Sequence, residues 1–195
     1  MPYALRLALA LAVAGCGFLT PVPDPTRLYV LTTSVRATPE PNTDLVIGLG
    51  PVTVPRYLDR PEIMSRVATN ELRPSPVDRW GEPLTTQIAR TIGNDLTARL
   101  RAERVVPYPW YSSRDFAAIV EVDVLRFETD ANGDALVVAR WRVRPPKGGA
   151  RTGLFTRTEP APGGTDASVA ALSRMVGELA DEIAGAVREV AHAQR

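Results

Sequence analysis

Apolar positions along this chain follow two helical rhythms and several strand-like ones. From Leu84 they recur every four residues, at Ile88, Ile92, Leu96 and Leu100. From Val169 they alternate spacings of three and four, at Leu172, Val176, Leu179, Ile183, Ala186 and Val190. Both patterns keep apolar groups on one face of a helix that turns about 100° per residue. The four-residue stripe drifts by about 40° per step, so it winds across its helix and suits a twisted sheet, whereas the second stripe runs straight. Pro83 fits the first turn of a helix over 83–100, where a missing N–H costs nothing. Thr165 stands as N-cap ahead of a helix over 166–191. Gly177, Ala180 and Ala184 flank the second stripe and predict a close approach to the sheet.

Residues 45–54 are apolar at nearly every position, as in a strand buried on both faces inside a sheet. Residues 28–32 predict a short strand, and 34–43 a loop holding Pro39 and Pro41. After a proline-bounded loop at 57–61, residues 62–67 and 71–75 predict a hairpin turning at Thr69-Asn70. Asn132-Gly133 is a hairpin signal between the alternating runs 118–127 and 136–143. A two-residue loop there sets Val122 opposite Val143 and Val124 opposite Trp141 on an apolar face. The other face then pairs Asp123 with Arg142 and Glu121 with Arg144 across the strands. Residues 151–159 add one more strand. The expectation is an α+β fold: a single domain with a mixed, mostly antiparallel sheet and two long amphipathic helices packed on one face.

The N-terminus follows a different plan. Arg6, an apolar run over 7–14 and the small residues Ala14 and Gly15 stand in the order of a secretory signal. Cys16 closes it, which looks like a bacterial lipoprotein signal: residues 1–15 are removed and the Cys16 thiol is acylated. An uncleaved membrane helix is the weaker reading, because the run falls short of roughly 20 apolar residues and Pro21, Pro23 and Pro25 follow. A buried structural thiol is the other alternative. Residues 16–27 then form a proline-bearing tether and 28–195 the domain. Acyl chains, at roughly 0.8 kcal/mol per buried methylene, hold such a domain to a bilayer. Gly17 rather than an aspartate after the cysteine points, by analogy with enterobacterial sorting, to the periplasmic face of the outer membrane.

Charge and composition narrow the chemistry. The chain has 23 basic and 22 acidic residues, and loss of Arg6 with the signal makes them equal. No basic footprint for nucleic acid follows. Cys16 is the only cysteine, so once acylated it leaves no thiol for a disulfide, a cysteine-bound zinc or thiol catalysis. Glu121 and Asp123 share a strand face, but each has an arginine across from it, which holds a carboxylate ionised rather than ready to act as an acid. Ser112, Ser113, Ser168 and Ser173 have only His192 as a possible base, near a fraying end. Leu49-Gly50-Pro51 lacks the spacing and lysine of a phosphate loop, and no loop has the ligand density of an EF-hand. The expectation is a protein that is not an enzyme, with no catalytic residues, no metal site and no cofactor.

Leu49-Gly50-Pro51-Val52, Pro55, Tyr57-Leu58-Asp59-Arg60-Pro61, Ile63, Asn70-Glu71-Leu72, Arg79-Trp80 and Glu82-Pro83-Leu84 stand in that order. They continue with residues 104–110, 122–127 and Ala139-Arg140-Trp141. This succession resembles the ABC-type transport auxiliary lipoproteins, the PqiC-like or DUF330 family. The resemblance implies an auxiliary, docking component of an MCE-type envelope transport system for phospholipid or another hydrophobic molecule. It implies as partners an MCE-domain periplasmic protein, the outer membrane through the acyl chains, and further copies of itself in a homo-oligomer. Tyr57, Leu58, Asp59, Arg60, Trp80 and Trp110 are the candidate docking residues, because exposed aromatics and arginines often carry interface energy. A structural role for each is the competing reading. A pilotin-like or lipopolysaccharide-assembly lipoprotein and, further off, a periplasmic hydrolase are the alternative functions.

Overall fold

The longest strand decides how the sheet is built. In a computed structural model, which describes residues 23–35, 41 and 43–193, β6 (Ala118–Asp130) pairs along one edge with β7 (Asp134–Arg144), antiparallel. Its other edge is shared. The first half pairs in parallel with β2 (Thr43–Thr53), from Ile47 opposite Ala118 to Thr53 opposite Asp123. The far end pairs with β3 (Glu62–Ala68), Ser65 opposite Thr129. Outside β2 lies β5 (Ala102–Pro107), parallel. Outside β3 lie β4 (Glu71–Trp80), antiparallel, and then β1 (Arg27–Tyr29), parallel to β4. Beyond β7 lies β8 (Arg151–Pro160), antiparallel. The described residues thus form one mixed, eight-stranded sheet, in which the antiparallel ladders hold most of the paired residues.

Helix α1 (Leu84–Leu100) packs on β2 and β5. Helix α2 (Thr165–His192) packs on β6, β7 and β8, and the two helices pack on each other. Every stripe residue is buried: Leu84, Ile88, Ile92, Leu96 and Leu100 on α1, and Val169, Leu172, Val176, Leu179, Ile183, Ala186 and Val190 on α2. They meet Val137, Ala139, Trp141 and Val143, the alternate residues of β7, while Arg140, Arg142 and Arg144 face out. Each fully buried Leu, Ile or Val contributes roughly 1.5–3 kcal/mol relative to exposure, so these stripes fix the helices to one face.

Several local expectations change. The first strand stops at Tyr29, and helix side chains take over the chain that follows. Gln87 Oε1 accepts the Leu31 N–H at 2.7 Å, and Ser173 Oγ the Thr32 N–H at 3.2 Å. Pro83 and Gly164 are the cap residues, and the Thr165 hydroxyl donates to Asp78 Oδ2 instead of capping α2. Gly177 makes its close approach to the Ser34 segment and to Asp95 of α1 rather than to the sheet: a Cβ there would lie 2.7 Å from Ser34. Strand β4 runs on to Trp80, past the expected end at 75, and β5 is an element the hydrophobic pattern did not announce.

The β6–β7 register differs from expectation at two points. The turn uses three residues, 131–133, with Gly133 at φ +83°. This is the form in which a turn ends on a left-handed residue. Asp130 Oδ1 organises it, accepting the N–H groups of Asn132 at 2.8 Å and Asp134 at 3.0 Å. These bonds, that from Asp134 foremost, hold the Asp130 carboxyl below its ordinary pKa. A second shift falls between Val124 and Arg126. Trp141 therefore lies opposite Val122, Arg140 opposite Asp123 and Arg142 opposite Glu121. Two single shifts restore the two-residue period, so the predicted faces survive. The Glu121–Arg144 ion pair remains as a diagonal contact at 3.5 Å, and Asp123 reaches Arg140 at 3.9 Å rather than Arg142.

Candidate functional site

The segment from Thr53 to Glu62 passes the middle of β6, where neither β2 nor β3 covers its edge. Residues 54–61 close that gap. Pro55 O accepts the Leu58 N–H at 2.9 Å, which turns the chain and drives Leu58 into the core at 2% exposure. Tyr57 packs against that core, and its hydroxyl lies 2.9 Å from Glu128 Oε2 and 3.3 Å from Leu125 O. Leu125 is the residue at which the β6–β7 register shifts.

Glu128 is a buried carboxylate at 1% exposure. Its Oε1 accepts from Arg66 Nε at 2.6 Å and from Arg126 Nε and Nη2 at 2.9 and 2.8 Å. Burying such a charge is tolerable only when it is paired and its lone pairs are filled, and here two guanidinium groups and a phenol do so. Burial, followed by the charge and hydrogen bond of Glu128, pushes the Tyr57 phenol up to about 12. Sequence reasoning missed Glu128, Arg66 and Arg126 as the group that holds the loop.

Trp80, at the end of β4, is 6% exposed and lies 6.1 Å from Phe127, ring centre to ring centre. Its N–H donates to Pro61 O at 2.7 Å. Asp59 and Arg60 are exposed. Arg60 Nε donates to Glu62 Oε2 at 2.7 Å, and this bond foremost holds the Glu62 carboxyl below its ordinary pKa. Asp59, Arg60, Trp80 and Glu82 line a shallow cleft of about 310 Å³. Five of the six candidates therefore gather at one place, but only Asp59 and Arg60 have exposed side chains, and Arg60 is already paired with Glu62.

Trp110 belongs to a different group. Its ring stands edge-on to Tyr108 and to Phe116, each at 5.2 Å. Strand β2 makes room for this stack at Gly48, where a Cβ would lie 2.6 Å from the Phe116 ring. Tyr108 is 58% exposed and Tyr111 fully so, which gives the segment 107–111 an outward aromatic surface. It adjoins a groove of about 580 Å³ lined by Thr86, Ala89, Gly93 and Thr97 of α1 and by Val105 and Tyr108. The alternation Pro107-Tyr108-Pro109-Trp110-Tyr111 was the available signal, since each proline fixes its own φ and leaves the aromatic residues between them fewer conformations.

Two of the serines weighed for chemistry have structural duties. Ser168 and Ser173 donate back along α2 to Gly164 O and Val169 O, at 3.1 and 2.8 Å. Among the described residues no three or more His, Cys, Asp or Glu are placed to hold a metal ion, and no helix is long and apolar enough to cross a membrane. Cys16 and the tether up to residue 22 lie outside the described residues.

Comparison with known proteins gives a consistent picture. A family model described as ABC-type transport auxiliary lipoprotein component matches residues 29–184. A crystal structure of an uncharacterized protein shares the fold with TM-score 0.69 and 19% identity, over 85% of this chain and 98% of that one. A Xanthomonas campestris protein of family DUF330 shares it with TM-score 0.67 and 20% identity, over 86% of this chain and 98% of that one. A PelC dodecamer from Paraburkholderia phytofirmans matches more loosely, with TM-score 0.41 and 16% identity over 75% of this chain and 91% of that one. No curated protein matches. At these identities the solved structures speak to the fold alone.

Proposed function

The chain belongs to the ABC-type transport auxiliary lipoprotein family, and from that premise we propose that it is the outer-membrane-anchored docking subunit of an MCE-type transporter. It works on the periplasmic face, held by acyl chains on Cys16, and carries no reaction of its own. Its partner is an MCE-domain protein that brings phospholipid or another hydrophobic molecule across the periplasm. Several copies act together as a homo-oligomer, and the assembly supports membrane integrity.

The observation that carries this reading is the family match across 29–184, behind a cysteine placed as a lipoprotein signal places it. The tether agrees: at no more than about 3.6 Å per residue, residues 16–27 keep β1 within roughly 40 Å of the bilayer. The two accessible surfaces, Asp59 with Arg60 and Tyr108 with Tyr111, offer polar and aromatic contacts of the kind interfaces use. The test is co-purification. The full chain, tagged at its C-terminus and extracted from membranes in mild detergent, should bring down an MCE-domain protein and its permease. Recovery of the folded lipoprotein without either would count against the docking role.

A further inference from the structure

Both helices lie on one face of the sheet, and the outward residues of β6, β7 and β8 form the other. That face bears a cleft of about 760 Å³, lined by Glu121, Asp123, Arg140, Arg142, Thr152 and Leu154 with Pro51 and Thr53 at its side. The volume is that of a small-ligand site.

The charges in the cleft do not balance. Asp123 accepts from the Thr53 hydroxyl at 2.8 Å and lies 3.9 Å from Arg140, while Glu121 lies 3.5 Å from Arg144. Arg142 stands opposite Glu121 in the ladder, and among the described residues it has neither a hydrogen bond nor an ion pair. Arg140, Arg142 and Arg144 therefore face two carboxylates, with one guanidinium left over. Arginines two positions apart on one strand face are separated by roughly 6.6 Å. Like charges that close repel each other, and an anion held between them relieves the repulsion.

Strand β8 completes the surroundings. Arg142 lies opposite Thr152, and Arg140 lies opposite Leu154, which is 61% exposed. Two guanidinium groups thus stand beside a hydroxyl and an open apolar side chain, with carboxylates one strand further on.

We propose that this cleft binds the zwitterionic headgroup of an ethanolamine phospholipid, its phosphate on Arg142 and Arg140 with the Thr152 hydroxyl, and its ammonium on Glu121. This rests on the transport reading above and gives the cargo a recognition site on the lipoprotein itself. A guanidinium fork matches phosphate oxygens in pairs. The two headgroup charges are joined through two methylene groups, a span that neighbouring strands roughly 4.8 Å apart can match. The weak, exposed pairs of Glu121 and Asp123 with arginine exchange partners readily. Leu154 and Pro51 take the glycerol and the first methylenes. Free phosphate shares the arginine contacts but uses neither Glu121 nor Leu154.

Phosphorus NMR of the full chain in dodecyl maltoside, titrated with dihexanoyl phosphatidylethanolamine, tests the site. Arg142→Gln should weaken binding at least about tenfold at an unchanged unfolding temperature, and Arg157→Gln, on the helix-covered face, should leave it unchanged. Glu121→Gln should weaken binding of this lipid severalfold but not that of dihexanoyl phosphatidylglycerol, which has no amine. Binding unaffected by Arg142→Gln overturns the site. Equal affinity of the parent for the two lipids overturns the zwitterionic assignment, and inorganic phosphate binding as tightly as either overturns the lipid one. Capture of the proposed MCE-domain partner is scored separately: capture without lipid binding leaves the docking role standing and removes the headgroup site, whereas lipid binding without capture does the reverse.

Discussion

The Tyr57 hydroxyl lies 2.9 Å from Oε2 of Glu128, joining a loop to a strand residue 71 positions later. Through that contact, the Tyr57-Leu58 half of a motif that reads as a docking loop becomes a seal over the one stretch of β6 that neither β2 nor β3 covers. Glu128→Ala leaves Arg66 and Arg126 without their shared anion and opens the seam. Loss of a buried charge partner costs about 3–5 kcal/mol, and the partial exposure of both arginines puts the expected loss at the low end. Tyr57→Phe removes one hydrogen bond and should cost only about 1 kcal/mol. Urea unfolding of the two variants gives the comparison, and a Glu128→Ala protein as stable as the parent would remove Glu128 from its place as the organiser.

The same contact sets an alkaline limit. The Tyr57 phenol is raised from 10.0 to about 12 in the folded protein. A raised folded value means that the neutral phenol contributes stability in full below the unfolded value, and that this contribution disappears as pH rises through the folded one. Stability should therefore fall between about pH 10 and 12, less steeply in Tyr57→Phe. Phenolate absorbance of the parent minus Tyr57→Phe should isolate one late-titrating tyrosine. A midpoint for it near 10 would contradict the burial and the bond to Glu128.

Much of this architecture can be read from the chain. Both helical stripes are buried at every predicted position, and the hairpin at Thr69-Asn70 closes as expected, with Ala68 opposite Glu71. What escapes is set by contacts remote in sequence. The register shift at Leu125 leaves no local pattern, because an extra residue in a strand reads like any other. Glu128 looks like a surface carboxylate until Arg66, 62 residues earlier, is brought beside it. Strand β5 has Glu103 and Arg104 ahead of only two apolar residues, and parallel pairing with β2 rather than its own pattern makes it a strand. Of the candidate docking residues, the motif identified the loop but could not separate Leu58 and Trp80, which are buried, from Asp59 and Arg60, which are not.

Asp78 binds the far edge of the sheet to the start of α2. It accepts from Arg27 Nε at 2.7 Å, Ser75 Oγ at 3.1 Å and Thr165 Oγ1 at 2.5 Å. Burial, the largest single influence, pushes its carboxyl up. The hydrogen bonds from Thr165, Arg27 and Ser75 together outweigh it and leave the pKa below the ordinary value. A depressed folded value contributes stability that is full above the unfolded pKa of about 3.9 and is lost as pH falls through the folded one. Asp78→Asn should therefore destabilise the domain at pH 7 and unfold with a shallower acid dependence. An unchanged acid limb would assign the acid sensitivity to other carboxylates.

Exposure separates two kinds of aromatic in this protein, and a pair of substitutions can read the difference. Trp80, at 6% exposure against Phe127, should cost about 3–5 kcal/mol when cut to alanine, as large core side chains do. Tyr111 is fully exposed, and Tyr111→Ala should change stability by no more than about 0.5 kcal/mol, as surface substitutions generally do. If the 107–111 surface takes part in docking, Tyr111→Ala should nonetheless reduce capture of the proposed MCE-domain partner severalfold, and Tyr108→Ala with Tyr111→Ala should reduce it further. Asp59→Ala with Arg60→Ala measures the other accessible surface in the same assay. Capture that survives the aromatic substitutions but fails with the Asp59 and Arg60 pair would move the docking face from the aromatic stack to the cleft beside Trp80.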